Sequence, residues 1–571
     1  MAGAAGALAG GAVTMRRHSR APYVGRHHAR CGVRVALAFA ATLVVAPSLG
    51  AQQVDLLELT IPEARAAMDA GRLSCRELVQ GYLDRIAAYD SAGPGLNAIQ
   101  TVNPRALLEA DSLDAVRRAR GPMGPLHCVP VLLKDQIETR DMPTTYGSAL
   151  FKDFVPRRDA TVVRKLEAAG AIVLAKTTMG EFASRYLSSA AGIIRNAYDP
   201  TRNPSGSSGG TGSGVAANFG LVGIGEDTSG SIRGPAAVSS LVGLRPTVPL
   251  VSRFGMLPAN PTQDTMGPMT RTVADAARVL DVIAGYDPED PVTAAAVGNM
   301  PASYEAALAP TALRGARIGV LRMRRDSSLT PRPVAGGDTI AARRDAEARA
   351  AEARLTEAEF AKVRPLFARA IADLRAQGAV VIDSVAMPTV PGRRVSNDFE
   401  TEEATDRYLA QHPNAPYRTL KEILLAGGVT PSRARALMTY VGRSTAEADY
   451  GAVLQYREAQ RVALLKVMAD LRLDALIYAT YDAPPAIIPA DALTNPRAAD
   501  GYGRGDNRGL SPSLGWPALT VPMGFSPEGL PAGLEFLGRP WSEGKLLGFA
   551  FAYEQATRHR RPPTTVPALS R

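Results

Sequence analysis

Serine and lysine are the residues of this chain whose positions best suggest chemistry. A Ser/Gly-rich stretch, "NPSGSSGGTGSG", runs from Asn203 to Gly214 and contains the pattern Gly-x-Ser-x-Gly centred on Ser208. That pattern is typical of a serine nucleophile in folds that supply an acid and a histidine later in the chain. After residue 51 the only histidines are His127, His412 and His559, and none lies in a context typical of a buried catalytic base. A serine–histidine hydrolase is therefore disfavoured.

Nucleotide binding and a simple linker are two other interpretations of this stretch. A phosphate loop needs a lysine followed by serine or threonine after its last glycine, whereas Val215 and Ala216 follow here. The segment "GTGSGVAANFG" also lacks the Gly-x-Gly-x-x-Gly spacing of dinucleotide-binding loops. Gly/Ser-rich segments often form flexible linkers, but this one lies between predicted strands and helices.

A buried lysine can activate a serine without a histidine, because burial depresses the pKa of its amine. Lysine is scarce, with eight in the chain against 57 arginines. Lys134 follows the apolar run "VPVLL" and Lys176 follows "AIVLA". The residues alone do not choose between these two, and either could be a strand-end lysine that reaches water. A third, Lys545, completes a Ser542-x-x-Lys pattern but fits a capped surface helix better.

The segment from Pro204 to Thr247, "PSGSSGGTGSGVAANFGLVGIGEDTSGSIRGPAAVSSLVGLRPT", resembles the core of the amidase signature hydrolases. The resemblance extends upstream through "VPVLLKD" and downstream through "TQDTMGPMTRTVADAARVLDVIAG" and "NRGLSPSLGWPALTVPMGF". It covers most of residues 55–560 and is weakest over 323–360. It implies an enzyme that hydrolyses a small-molecule or peptide amide and uses no metal or organic cofactor.

The resemblance also implies roles for individual residues. Ser231, in "TSGSIR", would be the nucleophile. Ser207, preceded by a cis peptide bond, would relay the proton to Lys134 as general base and acid, which leaves Lys176 with a structural role. The remaining implied residues are the backbone N–H groups of Thr228, Ser229 and Gly230 as oxyanion hole, and Ser208, Asp227 and Arg233 as supporting residues, the last two forming an ion pair.

Two positions depart from the family pattern. Ser229 stands before the nucleophile turn's Gly230, where the family often has a second glycine. Ser205 replaces the first glycine of the family's Pro-Gly-Gly-Ser-Ser element. Neither residue is one of the three reacting side chains, so we expect activity to be retained.

Two competing functions share this signature. One is the glutaminase subunit of a tRNA-dependent amidotransferase, which works in the cytoplasm beside a tRNA-binding partner. The other is a catalytically inactive binding homologue. An export signal and a modest charge argue against the first, and the joint presence of Ser231, Ser207 and Lys134 argues against the second. The segment from Asn397 to Leu424 resembles the variable region of peptide amidases and favours peptide or aryl amides.

The first 51 residues are predicted to be a signal peptide. They contain six arginines and no acidic residue, followed by the apolar run "VALAFAATLVVAPSLGA". We expect cleavage near Gly50 or Ala51, a start at Met1 or Met15, and a secreted or periplasmic protein. An uncleaved anchor or a transit peptide is the alternative.

Charge argues against a nucleic-acid partner. The net charge of +10 falls to +4 without the leader, which is too small for a basic binding surface. No stable membrane span is expected after processing, and the sequence leaves the oligomeric state open.

Alternating helical and strand patterns predict an α/β fold. We expect residues 52–571 to form one large domain, whose central twisted sheet is mostly parallel or mixed and is covered by helices on both faces. Residues 323–360 are polar and rich in Ala, Arg and Glu, which predicts a surface insertion that runs into an exposed helix. Cys75 and Cys128 are expected in the core as small apolar residues, with a disulfide between them as the open alternative.

Overall fold

A computed structural model describes residues 54–321, 340–392, 395–497 and 507–569, and the side chains of the long helix that begins at Ile340 only from Glu357 onward. The predicted signal peptide lies outside the described residues. The chain from Gln52 to Arg571 is one compact unit.

The strands are named in chain order: β1 Ile99–Val102, β2 Pro130–Lys134, β3 Ile172–Thr177, β4 Leu187–Ser188, β5 Gly192–Ile193, β6 Val222–Glu226, β7 Val242–Arg245, β8 Met266–Thr270, β9 Arg317–Leu321, β10 Val380–Val385, β11 Ala475–Ala479, β12 Ala518–Phe525 and β13 Pro531–Leu537.

The α-helices are named likewise: α1 Ile61–Asp69, α2 Cys75–Tyr89, α3 Ala106–Arg120, α4 Thr161–Ala168, α5 Gly209–Ala216, α6 Arg233–Ala237, α7 Val273–Ile283, α8 Ile340–Ala376, α9 Thr401–Ala410, α10 Leu420–Leu425, α11 Pro431–Leu437, α12 Ala448–Asp470, α13 Leu510–Leu514 and α14 Glu543–Thr557.

An eleven-stranded mixed sheet runs through the described structure in the order β1-β3-β2-β6-β8-β7-β12-β13-β11-β9-β10. The strands are parallel within β3-β2-β6 and within β11-β9-β10, and all the pairings between these two blocks are antiparallel. Helices α3, α4, α5, α6, α7, α8 and α14 contact the sheet. The mixed form of the predicted α/β fold is confirmed.

Buried strands explain why the apolar runs were recognisable in the sequence. Every residue of β2, β3 and β6 is buried, as expected of strands with neighbours on both sides. Capping boxes begin α1 at Thr60 and α2 at Ser74, where Glu63 and Glu77 return the hydrogen bond to the cap.

A disulfide joins Cys75, the first residue of α2, to Cys128, just before β2, across a Cα–Cα distance of 5.3 Å. Both residues are buried, so the predicted core position is confirmed, and the pairing left open by the sequence is formed. The bond connects the N-terminal helices to the strand that ends at Lys134.

Helices α14 and α8 lie where the sequence predicts helical segments. The helix after Ser542 is present as α14, but Ser542 donates its hydroxyl to the Arg539 carbonyl at 2.6 Å and makes no cap, and most of α14 is buried. The prediction of a capped surface helix was therefore wrong. Helix α8 begins within the predicted insertion and continues past its end to Ala376, while 322–339 lies outside the described residues.

No helix in the described ranges is both long enough and apolar enough to cross a bilayer.

Candidate active site

Lys134 is the last residue of β2, between β3 and β6, and its side chain is fully buried. Its Nζ lies 2.7 Å from Ser207 Oγ, 2.7 Å from Glu226 Oε2 and 3.3 Å from the Glu226 carbonyl oxygen. Burial lowers the pKa of this amine, and the charge of Glu226 opposes that effect. An ammonium has three N–H groups for these three oxygens, and after losing one proton the amine keeps two for the Glu226 oxygens and offers its lone pair to the serine proton.

Ser207 is held by an unusual backbone just before α5. The peptide bond between Gly206 and Ser207 is cis, as the resemblance implies. A side chain at Gly206 would overlap the carbonyl group of Arg185, so only glycine fits there. The neighbouring Ser208 is buried and donates its hydroxyl to the Glu226 carbonyl at 3.1 Å, which is a supporting contact to β6.

The turn that carries Ser231 is organised by Asp227. Its carboxylate accepts the N–H groups of Gly230 at 2.6 Å and Ile232 at 3.1 Å. It also pairs with Arg233 at 3.1 Å and Arg245 at 3.4 Å. Burial alone would raise the pKa of Asp227, but the two guanidinium groups hold it at about 2. The predicted ion pair of Asp227 with Arg233 is confirmed, and a second buried carboxylate, Glu535, also contacts Arg233.

The predicted oxyanion donors differ in their contacts. The N–H of Gly230 donates to Asp227 at 2.6 Å. Among the described residues, no acceptor is found for the N–H groups of Thr228, Ser229 and Ser231. Thr228 and Ser229 are therefore the predicted donors whose N–H groups have no acceptor, and the neighbouring N–H of Ser231 shares that property.

The two departures from the family pattern have different consequences. The left-handed position of the nucleophile turn is Gly230, with φ +134°, so Ser229 does not occupy it. Ser205, in contrast, has φ +63°, a conformation that favours glycine. The Ser205 hydroxyl compensates by a hydrogen bond of 2.6 Å with the Tyr481 hydroxyl.

Lys176 is buried as deeply as Lys134 but has other partners. Its Nζ lies 2.7 Å from Thr144 Oγ1 and 3.4 Å from Asp135 Oδ1. Burial lowers the pKa of this lysine too. Its contacts include neither Ser207 nor Ser231, which favours a structural role.

Ser231 is nearly buried and faces a cavity of about 310 Å³. Gly206, Ser205, Tyr481 and Arg508 also line this cavity, and the Arg508 guanidinium stacks 3.7 Å from the centre of the Tyr481 ring. A second cavity of about 430 Å³ shares Ser184 and Arg185 with the first. Its other charged lining residues are Arg433 and Arg435.

Several site residues were missed from the sequence. Glu226 and Asp264 are fully buried acidic residues that meet through the side chain of Thr228, and only the fold brings them together. His412, whose sequence context is not typical of a buried histidine, is buried with Nε2 2.9 Å from Glu138 Oε1. It follows α9, and its ring also contacts that of Phe154.

One grouping of potential metal ligands occurs among the described residues. It consists of Cys75, His127 and Cys128, whose ligand atoms lie within 4.8 Å of one another. The two sulfur atoms are joined to each other in the disulfide.

Known proteins share this architecture. A family model described as Amidase matches residues 77–547. A "probable amidase" of Arabidopsis thaliana is 31% identical over 536 residues, which cover 89% of this chain and 92% of the plant protein. A glutamyl-tRNA(Gln) amidotransferase subunit of Moorella thermoacetica is 33% identical over 534 residues, which cover 89% of this chain and 99% of that subunit. The solved peptide amidase of Stenotrophomonas maltophilia is 36% identical with a TM-score of 0.73, covering 89% of this chain and 99% of its own.

Proposed function

This chain belongs to the amidase family of amide-hydrolysing enzymes, and from that premise we propose that it cleaves a carboxamide through a covalent acyl-enzyme on Ser231. The observation that carries the proposal is the contact of 2.7 Å between Ser207 Oγ and the buried amine of Lys134. A buried amine of lowered pKa is the base that a serine relay needs.

In the acylation step, Ser231 Oγ gives its proton to Ser207 Oγ, and Ser207 gives its own proton to Lys134 Nζ. The Ser231 oxygen bonds to the amide carbon, and the carbonyl oxygen takes the electron pair of the C=O π bond. When the tetrahedral intermediate collapses, the C–N bond breaks and the proton returns from Lys134 through Ser207 to the nitrogen. Ammonia or an amine leaves, and water then attacks the acyl-enzyme through the same relay.

The N–H groups of Thr228 and Ser229 are the proposed oxyanion donors, joined by that of Ser231. Each such donor contributes roughly 3 kcal/mol to transition-state stabilisation. Asp227 holds the turn in place through Gly230 and Ile232, and so it supports these donors without contacting the substrate.

The experiment compares the purified protein with its Ser231→Ala and Ser208→Ala variants on a panel of peptide and aryl amides. We expect kcat to fall by about four orders of magnitude or more for Ser231→Ala, since it removes the nucleophile. Ser208→Ala should keep measurable turnover, because Ser208 only links α5 to β6. Equal activity of the Ser231→Ala protein would overturn the proposal, and an inert wild type would favour the inactive binding homologue.

The amidotransferase alternative is kept because the match to the amidotransferase subunit of Moorella thermoacetica covers 99% of that subunit. It predicts that glutamine is hydrolysed only when a partner subunit is added. We propose a free-standing amidase instead, so turnover of simple amides by the chain alone is the expected result.

Export to the periplasm or the exterior is also proposed. The predicted signal peptide supports it, as does the disulfide between Cys75 and Cys128, since disulfides persist in oxidising compartments. N-terminal sequencing of the exported protein should give a start near Ala51 or Gln52. An intact Met1 or Met15 in that protein would contradict cleavage.

The proposed substrate is an extended amide of the peptide type. The cavity at Ser231 and the second cavity share the lining residues Ser184 and Arg185, so the two are neighbours, which favours a substrate longer than a single small amide. The peptide amidase of Stenotrophomonas maltophilia, similar over 89% of this chain, is consistent with that choice.

A further inference from the structure

The hydroxyl group of Thr228 lies between two buried acidic side chains. Its Oγ1 is 2.7 Å from Glu226 Oε1 and 2.8 Å from Asp264 Oδ1. A threonine hydroxyl has one hydrogen and can donate it to only one of the two oxygens. If both acids were ionised, Thr228 could donate to only one of them. In the other contact, a lone pair of Thr228 Oγ1 would face a lone pair of a carboxylate oxygen, in a region with almost no solvent. One of the two acids must therefore carry a proton and donate it to Thr228.

The surroundings assign that proton to Asp264. Glu226 has a cationic partner, since its second oxygen lies 2.7 Å from Lys134 Nζ in a buried ion pair. Asp264 has no ion pair among the described residues; it accepts the N–H groups of Ala259 and Asn260 at 2.8 and 2.9 Å. Burial and then the charge of Glu226 raise the pKa of Asp264 to about 7.

The charge balance of the buried region agrees. Arg233 and Arg245 face Asp227 and Glu535, so this neighbouring cluster is already neutral. The other charged groups that act on the acidic pair are Lys134, from β2, and Arg253, which pairs with Asp290. When Lys134 is protonated, it matches Glu226 as the two arginines match Asp227 and Glu535, so an ionised Asp264 would add an uncompensated buried charge.

We propose that Asp264 and Thr228 are positioning residues that keep one proton beside Glu226, an inference that rests on the proposed function. Glu226 then presents a single negative charge to Lys134. The contacts Ser207–Lys134–Glu226–Thr228–Asp264 form an unbroken chain of 2.7 to 2.8 Å. During acylation Lys134 gains one positive charge, and the single charge of Glu226 matches it. The side chains of Thr228 and Asp264 act through Glu226 and Lys134, whereas the backbone N–H of Thr228 is a proposed oxyanion donor.

Two isosteric variants test the assignment. In Glu226→Gln the negative charge is lost, so the protonated form of Lys134 is destabilised and its pKa falls. The acidic limb of the pH profile of kcat/KM should then move to lower pH by about 1 to 3 pH units. In Asp264→Asn a neutral amide replaces a neutral acid and can still donate to Thr228, so the limb should stay in place whatever the level of kcat.

Infrared difference spectra give a readout that does not depend on turnover. At about pH 5, below the pKa of about 7 of Asp264, the C=O stretching band of a protonated carboxyl group should be lost in Asp264→Asn and kept in Glu226→Gln. Thr177→Val is the control for an isosteric change to another buried polar side chain, since Thr177 pairs with Thr211 outside this chain of contacts. Its pH profile should match the wild type.

A limb that moves in both acidic-residue variants, or in neither, would overturn the assignment. So would a carboxyl band that Asp264→Asn leaves unchanged. If no amide is hydrolysed by the wild type, the proposed function fails, and the infrared comparison still decides where the proton resides.

Discussion

At the scale of single residues, the two buried strand-end lysines are distinguished by what they contact. Lys134 lies against Ser207 and Glu226, whereas Lys176 lies against Thr144 and Asp135. Replacing either by methionine leaves a buried carboxylate without its cation, which costs about 3 to 5 kcal/mol of unfolding free energy. We therefore expect both variants to lose stability.

The turnover number kcat should distinguish the Lys134→Met variant from the Lys176→Met variant. Per folded molecule, Lys134→Met should lose at least about three orders of magnitude in kcat, because no base remains for the serine relay. Lys176→Met should keep its turnover once the folded fraction is measured by urea denaturation. Loss of turnover in both variants, or only in Lys176→Met, would contradict the assignment of Lys134 as the general base.

Residue types near the nucleophile were predictable from the sequence, but their partners were not. The strand-end position of Lys134 and the Ser/Gly-rich turns are local patterns. Glu226 and Asp264, in contrast, are 38 positions apart in the sequence and meet because β6 and β8 pair antiparallel, with Glu226 opposite Met266. No local periodicity indicates such a contact. The burial of His412 likewise depends on packing between distant elements.

At the scale of elements, the short helix α5 depends on its glycines for a close approach to the sheet. A methyl group at Gly210 would overlap the carbonyl oxygen of Thr178 and lie 2.6 Å from that of Ala98. Gly210→Ala should therefore lower the unfolding free energy by about 1 to 3 kcal/mol and also reduce kcat, because α5 begins next to Ser207.

Gly451 in α12 is the matched control for that change. No atom lies within 4 Å of a methyl group placed there, so Gly451→Ala should stabilise the protein by roughly 0.5 to 1 kcal/mol. Urea denaturation of the two variants gives both values. A Gly210→Ala protein as stable as wild type would show that α5 can move away from β3.

The apolar runs that form β2 and β3 were recognisable in the sequence because they are local signals. Which strands pair could not be predicted. The antiparallel centre of the sheet arises where β6, β8, β7, β12 and β13 come together from two separate parts of the chain, residues 222–270 and 518–537. Burial of α14 follows from the same long-range packing, through its contacts with α7 and β12.

The disulfide is the other element-scale feature with a measurable effect. It closes a loop with a sequence separation of 53 residues, for which the chain-entropy model gives a stabilisation of about 4 kcal/mol. The double variant Cys75→Ser, Cys128→Ser should lose about 2 to 4 kcal/mol of unfolding free energy, and reduction of the wild type should have a similar effect. A thiol titration of the unfolded, unreduced protein that finds both sulfurs free would contradict the bond.

At the scale of the whole molecule, buried acids determine how stability depends on pH. Burial raises the pKa of several carboxyl groups well above their ordinary values, among them Asp90 to about 6, Asp264 to about 7, Asp275 to about 6 and Glu554 to about 7. Between about pH 4 and 7 the folded state therefore binds more protons than the unfolded state. Their stabilisation is present below pH 4 and is lost as pH rises through these values.

Each of these acids should consequently lower the unfolding free energy between about pH 4 and pH 7, by up to about 1.4 kcal/mol per pH unit for each proton of difference. Burial lowers the pKa of His127, His559, Lys134 and Lys176, so these bases act in the opposite direction. Chemical denaturation of the wild type and of Asp275→Asn across this range isolates one acid, and the contribution that falls with pH should be smaller in the variant. An identical pH dependence in the two proteins would contradict the raised pKa of Asp275.

Substrate choice is also a property of the whole molecule, because the cavity wall is assembled from distant segments. Arg185 precedes β4, whereas Arg433 and Arg435 belong to α11, and all three line the second cavity. Arg433 is buried without a carboxylate within 4 Å among the described residues, and its Nη2 donates to the Phe182 carbonyl at 2.5 Å. A cavity wall of this charge favours an acidic substrate residue over a basic one.

Among N-acyl dipeptide amides that differ in one residue, kcat/KM should be higher with glutamate than with lysine by about tenfold. The ratio of kcat/KM for the glutamate amide to that for the lysine amide should be smaller in Arg433→Gln and at high salt. The corresponding amide with methionine is uncharged and should be cleaved equally by the wild type and Arg433→Gln. If lysine peptides were preferred, the substrate would have to extend away from α11.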